Sequence, residues 1–286
     1  MNVVMRTALV KRFIPARKAS SRKGENGRVM VIGGSYLYHG APILSSLAAL
    51  RSGADLVYTC VPKILVTSAR AFSPNLIVIP MVDSKLTRGS ARKLVGIIPK
   101  ELDSAVIGMG LAIHDREALK MLVGDLLDRA VLISLDASAL VPEILPVIKD
   151  KKVIVTPHAG EFKRLFGEEV SYTLKQRTAT VQKYAKENGI TILLKGPIDV
   201  ISDGTRTYLN PKNLASMTVG GTGDVLSGIV AAMLAKNGNP VEAASAASFV
   251  NGKAGSLAQK KNGLHIVATD LIEFIPTAMK PFDRVG

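Results

Sequence analysis

Between residues 28 and 194, short runs of apolar side chains alternate with longer stretches in which apolar and charged positions recur at helical spacing. Runs that are apolar at every position suit strands buried on both faces, and the amphipathic stretches between them suit crossover helices. The pattern predicts an α/β fold with a central, mostly parallel sheet and helices on both faces. Strands are expected over residues 28–32, 56–60, 76–82, 104–107, 131–135, 153–155 and 191–194. Residues 200–202 and 205–208 flank Asp203-Gly204, a hairpin signal that predicts a short antiparallel pair at the end of the sheet. Two long helices are expected to follow, over 224–236 and roughly 240–260. No Pro/Ser-rich linker, charge block or internal repeat divides the chain, so residues 1–286 are expected to form one domain, with about 1–22 as a basic N-terminal extension.

The segment 218–228, T-V-G-G-T-G-D-V-L-S-G, breaks this alternation. Gly220, Gly221 and Gly223 allow the backbone to bring its N–H groups against a bound oxygen. Val225, Leu226, Ile229, Val230 and Met233 then recur at helical spacing, which sets a helix N-terminus beside the glycines. Gly221, Thr222 and Gly223 form a candidate anion hole. Asp224 stands where the helix dipole favours a carboxylate, and two readings of it are open: a base that takes a proton from a substrate hydroxyl, or a plain N-cap. The run lacks the G-K-[ST] ending of a P-loop, and no G-x-G-x-x-G follows an expected strand.

The chain of 286 residues is long enough for a sizeable core. No apolar run reaches membrane-spanning length and no signal-peptide pattern opens the sequence, so a soluble, cytoplasmic protein is expected. Cys60 stands alone in an apolar segment and reads as a buried small hydrophobe. Lys and Arg number 37 against 23 Asp and Glu, a net charge of +14. Such a surface attracts anions. The cations are scattered apart from Lys11, Arg12, Arg17, Lys18, Arg22 and Lys23, and few aromatics interleave with them. Phosphorylated small molecules are therefore expected as partners rather than nucleic acid.

In open α/β sheets the residues just beyond the strands carry the chemistry. After the first expected strand comes G-G-S-Y-L-Y-H-G-A-P, residues 33–42, which serves as a ligand-approach loop or as a structural turn. Gly108-Met109-Gly110 follows a later strand. T-P-H-A-G-E, residues 156–161, opens a helix in which His158 either orients a substrate or caps the turn. L-L-K-G-P-I-D, residues 193–199, sets Lys195 at a strand terminus, as a surface charge or folded back over phosphates.

In this order and spacing, K-G-E-N-G-R-V-M-V-I-G-G-S, Y-H-G-A-P, T-P-H-A-G-E, L-K-G and G-G-T-G-D-V-L-S-G resemble the NAD(P)H-hydrate dehydratases, a branch of the ribokinase-like superfamily. The resemblance runs from about residue 23 to about residue 255. It implies that Ala41, Gly110, His158 and Asp224 contact the hydrated nicotinamide dinucleotide, and that Lys195, Gly196, Pro197, Ile198, Asp199 and Gly223 contact the adenine nucleotide. Asp224 matches the catalytic aspartate. Three departures stand out: Asp199 where many relatives carry Thr, a reduced Gly108-Met109-Gly110-Leu111, and Asn213-Leu214-Ala215-Ser216-Met217 in place of Asn-Pro-Gly-Met.

The resemblance implies nucleotide-dependent dehydration of hydrated NADH or NADPH, with ADP or ATP as co-substrate and Mg²⁺ as the nucleotide's counter-ion; no carboxylate cluster in the sequence looks like a dedicated metal cage, so phosphates and waters are expected as most of the metal's ligands. It also implies a homo-oligomer, a tetramer in the family, and a separate NAD(P)H-hydrate epimerase. Two other activities fit parts of the sequence. A small-molecule kinase of the same superfamily would use Asp224 identically, and a non-catalytic nucleic-acid binder would use only the charge.

Overall fold

A computed structural model of the chain describes residues 2–212 and 214–286. Ten strands are β1 (Asn2–Val4), β2 (Arg28–Ile32), β3 (Leu56–Pro62), β4 (Ile77–Met81), β5 (Ser104–Ile107), β6 (Leu132–Leu135), β7 (Val153–Val155), β8 (Thr191–Leu194), β9 (Ile198–Ser202) and β10 (Thr207–Pro211). The helices are α1 (Thr7–Phe13), α2 (Gly40–Arg51), α3 (Val66–Phe72), α4 (Arg88–Ile97), α5 (Arg116–Asp128), α6 (Leu145–Ile148), α7 (Ala159–Phe166), α8 (Leu174–Asn188), α9 (Thr222–Asn237), α10 (Pro240–Asn262) and α11 (Ala268–Met279). The strands form one sheet in the order β1-β10-β9-β8-β7-β6-β5-β2-β3-β4. Only β9 runs against its neighbours, so the sheet is mostly parallel.

Alternation along the strands divides the core. Met30 and Ile32 of β2, with Ile133 and Leu135 of β6, meet the face covered by α4 to α8, where Leu94, Leu119, Leu122, Phe162 and Val181 are buried. Val29 and Val31 face the other way, onto Ala49 of α2 and Ala231 and Ala232 of α9. That second face continues through α1, α10 and α11, which bury Val10, Val250 and Leu271. Cys60 is fully buried, and burial pushes its thiol up to about 12, so it is an inert packing group.

Two expectations are corrected. Residues set apart as a basic extension supply β1, which pairs in parallel with β10, and α1, whose Phe13 ring stacks edge-on with Tyr208 at 5.5 Å. Three exposed residues give no buried periodicity, so β1 carries no sequence signal. The hairpin strands are also longer and shifted outward from the expected 200–202 and 205–208. Ser202 and Thr207 pair directly, and the Asp203 carboxylate caps the turn by accepting N–H bonds from Thr205 and Arg206 at 2.9 and 2.7 Å.

Candidate active site

The sheet order turns between β2 and β5: β3 and β4 lie outward of one, and β6, β7 and β8 outward of the other. Ligands of open α/β sheets bind beyond the carboxyl ends of the strands at such a point. Here Gly33, Gly108, Asp136, Thr156 and Lys195 each stand immediately beyond a strand, and the first turns of α9 reach two of them, Asp136 through Ser227 and Lys195 beside Gly223.

Gly221 is the N-cap of α9 with φ +93°, a left-handed conformation that a β-carbon disfavours. Asp224 is therefore the third helical residue, and the reading of it as an N-cap falls. The first-turn N–H groups, having no intrahelical acceptor, face the crevice that Gly223 and Asp224 line. Thr222 contributes only its backbone: its hydroxyl donates to the Met217 and Val219 carbonyls at 3.0 and 3.2 Å. The helix end is fixed against α2, because the Ser45 hydroxyl donates to the Asp224 carbonyl at 2.7 Å and Gly228 sits directly on the Ser45 backbone.

A buried charge cluster lies beside this helix end. Lys195 Nζ is 2.9 Å from Asp136 Oδ1 and 3.4 Å from Glu161 Oε2, while Ser227 donates to Asp136 Oδ2 at 2.6 Å. Burial alone would raise the Asp136 carboxyl, but Lys195 and Ser227 hold it below the usual range. Burial alone would lower Lys195, and Asp136 and Glu161 hold it up, so it stays charged. Its ammonium lies near Gly223, 3.7 Å from where a β-carbon would stand. Asp224 differs from its neighbours. Burial first, then the Asp136 and Glu161 carboxylates, push it up to about 7 against the pull of Lys195. A carboxylate poised near neutrality is suited to general base work.

Two cavities flank this helix end, one lined by Asp224 and the other by Gly223. One, about 720 Å³, is lined by Tyr36, Tyr38, Ala41, Gly110, Arg164 and Asp224 among others. The other, about 460 Å³, is lined by His158, Lys195, Gly196, Pro197, Leu226 and Gly223 among others. Ala41, Gly110 and Asp224, expected together around one ligand, do share a cavity. His158 is placed apart from them, in the smaller cavity. It also caps α7: its Nδ1 accepts from the Gly160 and Glu161 N–H groups at 3.0 and 3.2 Å.

Two of the expected nucleotide contacts do not present their side chains. Asp199 is fully buried, accepting from Gly196 N–H at 3.0 Å, Ser248 at 2.6 Å and Lys212 at 2.5 Å. With its oxygens taken by donors, it supports the 195–199 loop from beneath rather than meeting a phosphate. Ile198 packs against the core face of α4 to α8. Asn213 lies outside the described residues. Asp136, Glu161 and Arg164 were not singled out by the sequence as site groups, although Asp136 stands directly beyond a strand, the position where such groups gather.

Among the described residues, no group of three or more His, Cys, Asp or Glu side chains could hold a metal ion. Asp136, the buried carboxylate beside Lys195, has both oxygens engaged by protein donors. No helix among the described residues is long and apolar enough to cross a membrane.

The family model for NAD(P)H-hydrate dehydratase matches residues 29–277. The chain belongs to that family. It is 64% identical over 279 residues to the ADP-dependent (S)-NAD(P)H-hydrate dehydratase of Nitrosopumilus maritimus, covering 98% of this chain and 97% of that protein. Its fold matches the ADP/ATP-dependent NAD(P)H-hydrate dehydratase of Bacillus subtilis, co-crystallised with ATP/Mg²⁺, with a TM-score of 0.82 at 26% identity over 98% of this chain and 99% of that one. A ribokinase-like superfamily protein of Enterococcus faecalis superposes with a TM-score of 0.82 at 26% identity, covering 99% of this chain and 97% of that one. The dehydratase family's chain is thus folded as a ribokinase-like α/β protein.

Proposed function

We propose that this chain is an ADP-dependent dehydratase that returns hydrated NADH or NADPH to the reduced dinucleotide. The observation that carries the reading is the placement of Asp224, with a carboxyl pushed up to about 7, where a large cavity meets a helix N-terminus. The larger cavity takes the hydrated dinucleotide past Ala41 and Gly110. The smaller takes ADP, with its phosphates toward Gly223 and Lys195. The Nitrosopumilus relative, named ADP-dependent, supports ADP as the phosphoryl donor.

Asp224 accepts the proton of the ring hydroxyl as its oxygen attacks the terminal phosphorus of ADP. The bond from that phosphorus to the bridging oxygen breaks, and AMP leaves. N–H groups at the start of α9 and the Lys195 ammonium stabilise charge on the transferring oxygens, the main source of catalysis in phosphoryl transfer. The ring nitrogen then donates its lone pair, the carbon–oxygen bond of the phosphate ester breaks and phosphate departs. A proton lost from the adjacent ring carbon restores the reduced dinucleotide. Mg²⁺ as the nucleotide's counter-ion would neutralise phosphate charge, and with no metal-holding cluster among the described residues it would be held chiefly by phosphate oxygens and water. A homo-oligomeric assembly and a separate epimerase for the other hydrate epimer belong to the same reading, on family grounds.

A mixture of protein, NADH hydrate, ADP and Mg²⁺ should yield NADH, phosphate and AMP in equal amounts, with recovery of the near-ultraviolet absorbance of the dihydronicotinamide. A phosphorylated sugar or pyrimidine alcohol, formed while absorbance stays lost with both NADH and NADPH hydrates, would assign the site to a kinase. An ester on such an alcohol has no ring nitrogen placed to expel it.

A further inference from the structure

Arg164 of α7 lines the larger cavity with its guanidinium already fixed: Nε donates to the Leu140 carbonyl at 2.8 Å and Nη2 to the Ala137 carbonyl at 2.5 Å. Ala137 and Ser138 line the same cavity, so these bonds hold the guanidinium at its wall. Ala137 stands at φ +49°, a left-handed conformation that a non-glycine residue keeps only where its surroundings impose it. Arg164 is exposed, and Glu161, one turn back on the helix, pairs with Lys195 at 3.4 Å rather than with the arginine. The two protein bonds use Nε and Nη2, which leaves the Nη1 N–H groups for a ligand. A guanidinium held in this way presents a planar fork to phosphate oxygens at little further cost in side-chain entropy. Lys85, also exposed, is the other cation of the cavity lining.

We infer that Arg164 holds the pyrophosphate of the hydrated dinucleotide. This rests on the assignment of the larger cavity to that substrate. Position selects which phosphate the arginine meets. Its guanidinium is anchored on Ala137, next in the chain to Asp136, which pairs with Lys195 beside the reacting end. Along α7, Arg164 stands about 4.5 Å beyond Glu161, whose carboxylate also reaches Lys195. A ring set at Asp224 carries its first phosphate one ribose away. The 2′-phosphate of NADPH lies at the far, adenosine end.

Equilibrium titrations without ADP test this, with NADH hydrate, NADPH hydrate and the hydrate of reduced nicotinamide riboside, which has the same ring but no phosphate. Arg164→Gln should weaken both dinucleotide hydrates equally, by roughly 10- to 150-fold, the range for hydrogen bonds to a charged group. It should leave the riboside hydrate, and ADP titrated separately, nearly unchanged. Arg164→Lys, which keeps the charge but not the fork, should recover part of the lost affinity. Equal weakening of the riboside hydrate would reduce Arg164 to a brace for residues 137–140 and overturn the inference. So would a loss confined to NADPH hydrate, which would place the arginine at the 2′-phosphate, or a loss of ADP affinity, which would place it at the donor nucleotide. Titration reads binding without turnover, so the two readings fail separately: affinity lost as expected without any dehydration by wild type would sink only the proposed activity, whereas dehydration with undiminished affinity in Arg164→Gln would sink only the role of Arg164.

Discussion

The ammonium of Lys195 lies 2.9 Å from the Asp136 carboxylate, although 59 residues separate them in the chain. The pair sets the electrostatics of the whole helix end. Asp136 and Glu161 each raise the Asp224 carboxyl, and Lys195 lowers it. The same lysine is therefore placed to meet phosphate and to keep the base usable near neutral pH. A surface lysine would do only the first.

Opposite shifts in the pH profile follow. Asp224 acts deprotonated, so kcat/KM should rise with pH and level above about 7, the value to which its carboxyl is pushed. Asp136→Asn removes an anion and frees Lys195 to act on Asp224, so the acid limb should move to lower pH. Lys195→Ala removes the cation, so the limb should move to higher pH while ADP binding weakens. Each variant breaks a buried pair, a change that costs on the order of 3–5 kcal/mol, so profiles are to be read on folded protein at low temperature. Limbs that move in the same direction, or not at all, would remove Asp224 as the group being titrated.

The parts of this site that sequence made legible are those whose demands are local. A helix N-terminus after glycines must be written as consecutive residues, and so the run around Gly221 and Asp224 could be read directly. Strand ends were equally plain, because β2, β5, β7 and β8 each finish in an apolar run. Asp136 depends instead on Lys195 and on Ser227, which is 91 residues away, and nothing near it in sequence signals either contact. Asp199 misled for the reverse reason: its segment is at the site, but its carboxylate turns inward to Ser248 and Lys212. Orientation about a backbone is settled by packing between distant elements, and no local pattern encodes it. The edge strand β1 was lost because it buries nothing.

Gly228 tests whether the packing of α2 on α9 positions the base. A β-carbon there would overlap the Ser45 carbonyl oxygen, which is backbone and cannot swing aside. Gly228→Ala should destabilise the protein by about 1–3 kcal/mol through overpacking. It should also lower kcat more than it raises the KM of ADP, because the helix carrying Asp224 must shift while Lys195 stays with Asp136. Thermal unfolding and steady-state kinetics check the two parts. A variant with wild-type stability and kcat would show that this contact does not set the position of Asp224.

Asp224→Asn separates a base from a structural carboxylate, because the two roles predict opposite effects on stability. The substitution keeps size and removes the proton acceptor, so turnover should fall ~10²–10⁴-fold, as is usual for a lost general base. Stability should move the other way. The carboxyl is raised from 3.8 to about 7 in the folded chain, so its contribution to stability is fully present below pH 3.8 and is lost as pH rises to about 7. Asparagine does not titrate and escapes that loss. The variant should therefore gain little at pH 4 and progressively more up to neutral pH, levelling above it. At 1.36 kcal/mol per pH unit the full gain is on the order of a few kcal/mol, with roughly 2–4 °C in Tm for each. Thermal melts of both proteins at pH 4, 6 and 8 decide it. A variant that loses turnover and is also less stable at pH 8 would make Asp224 a structural carboxylate, held by its surroundings rather than strained by them, and the assignment of the base would fall with it.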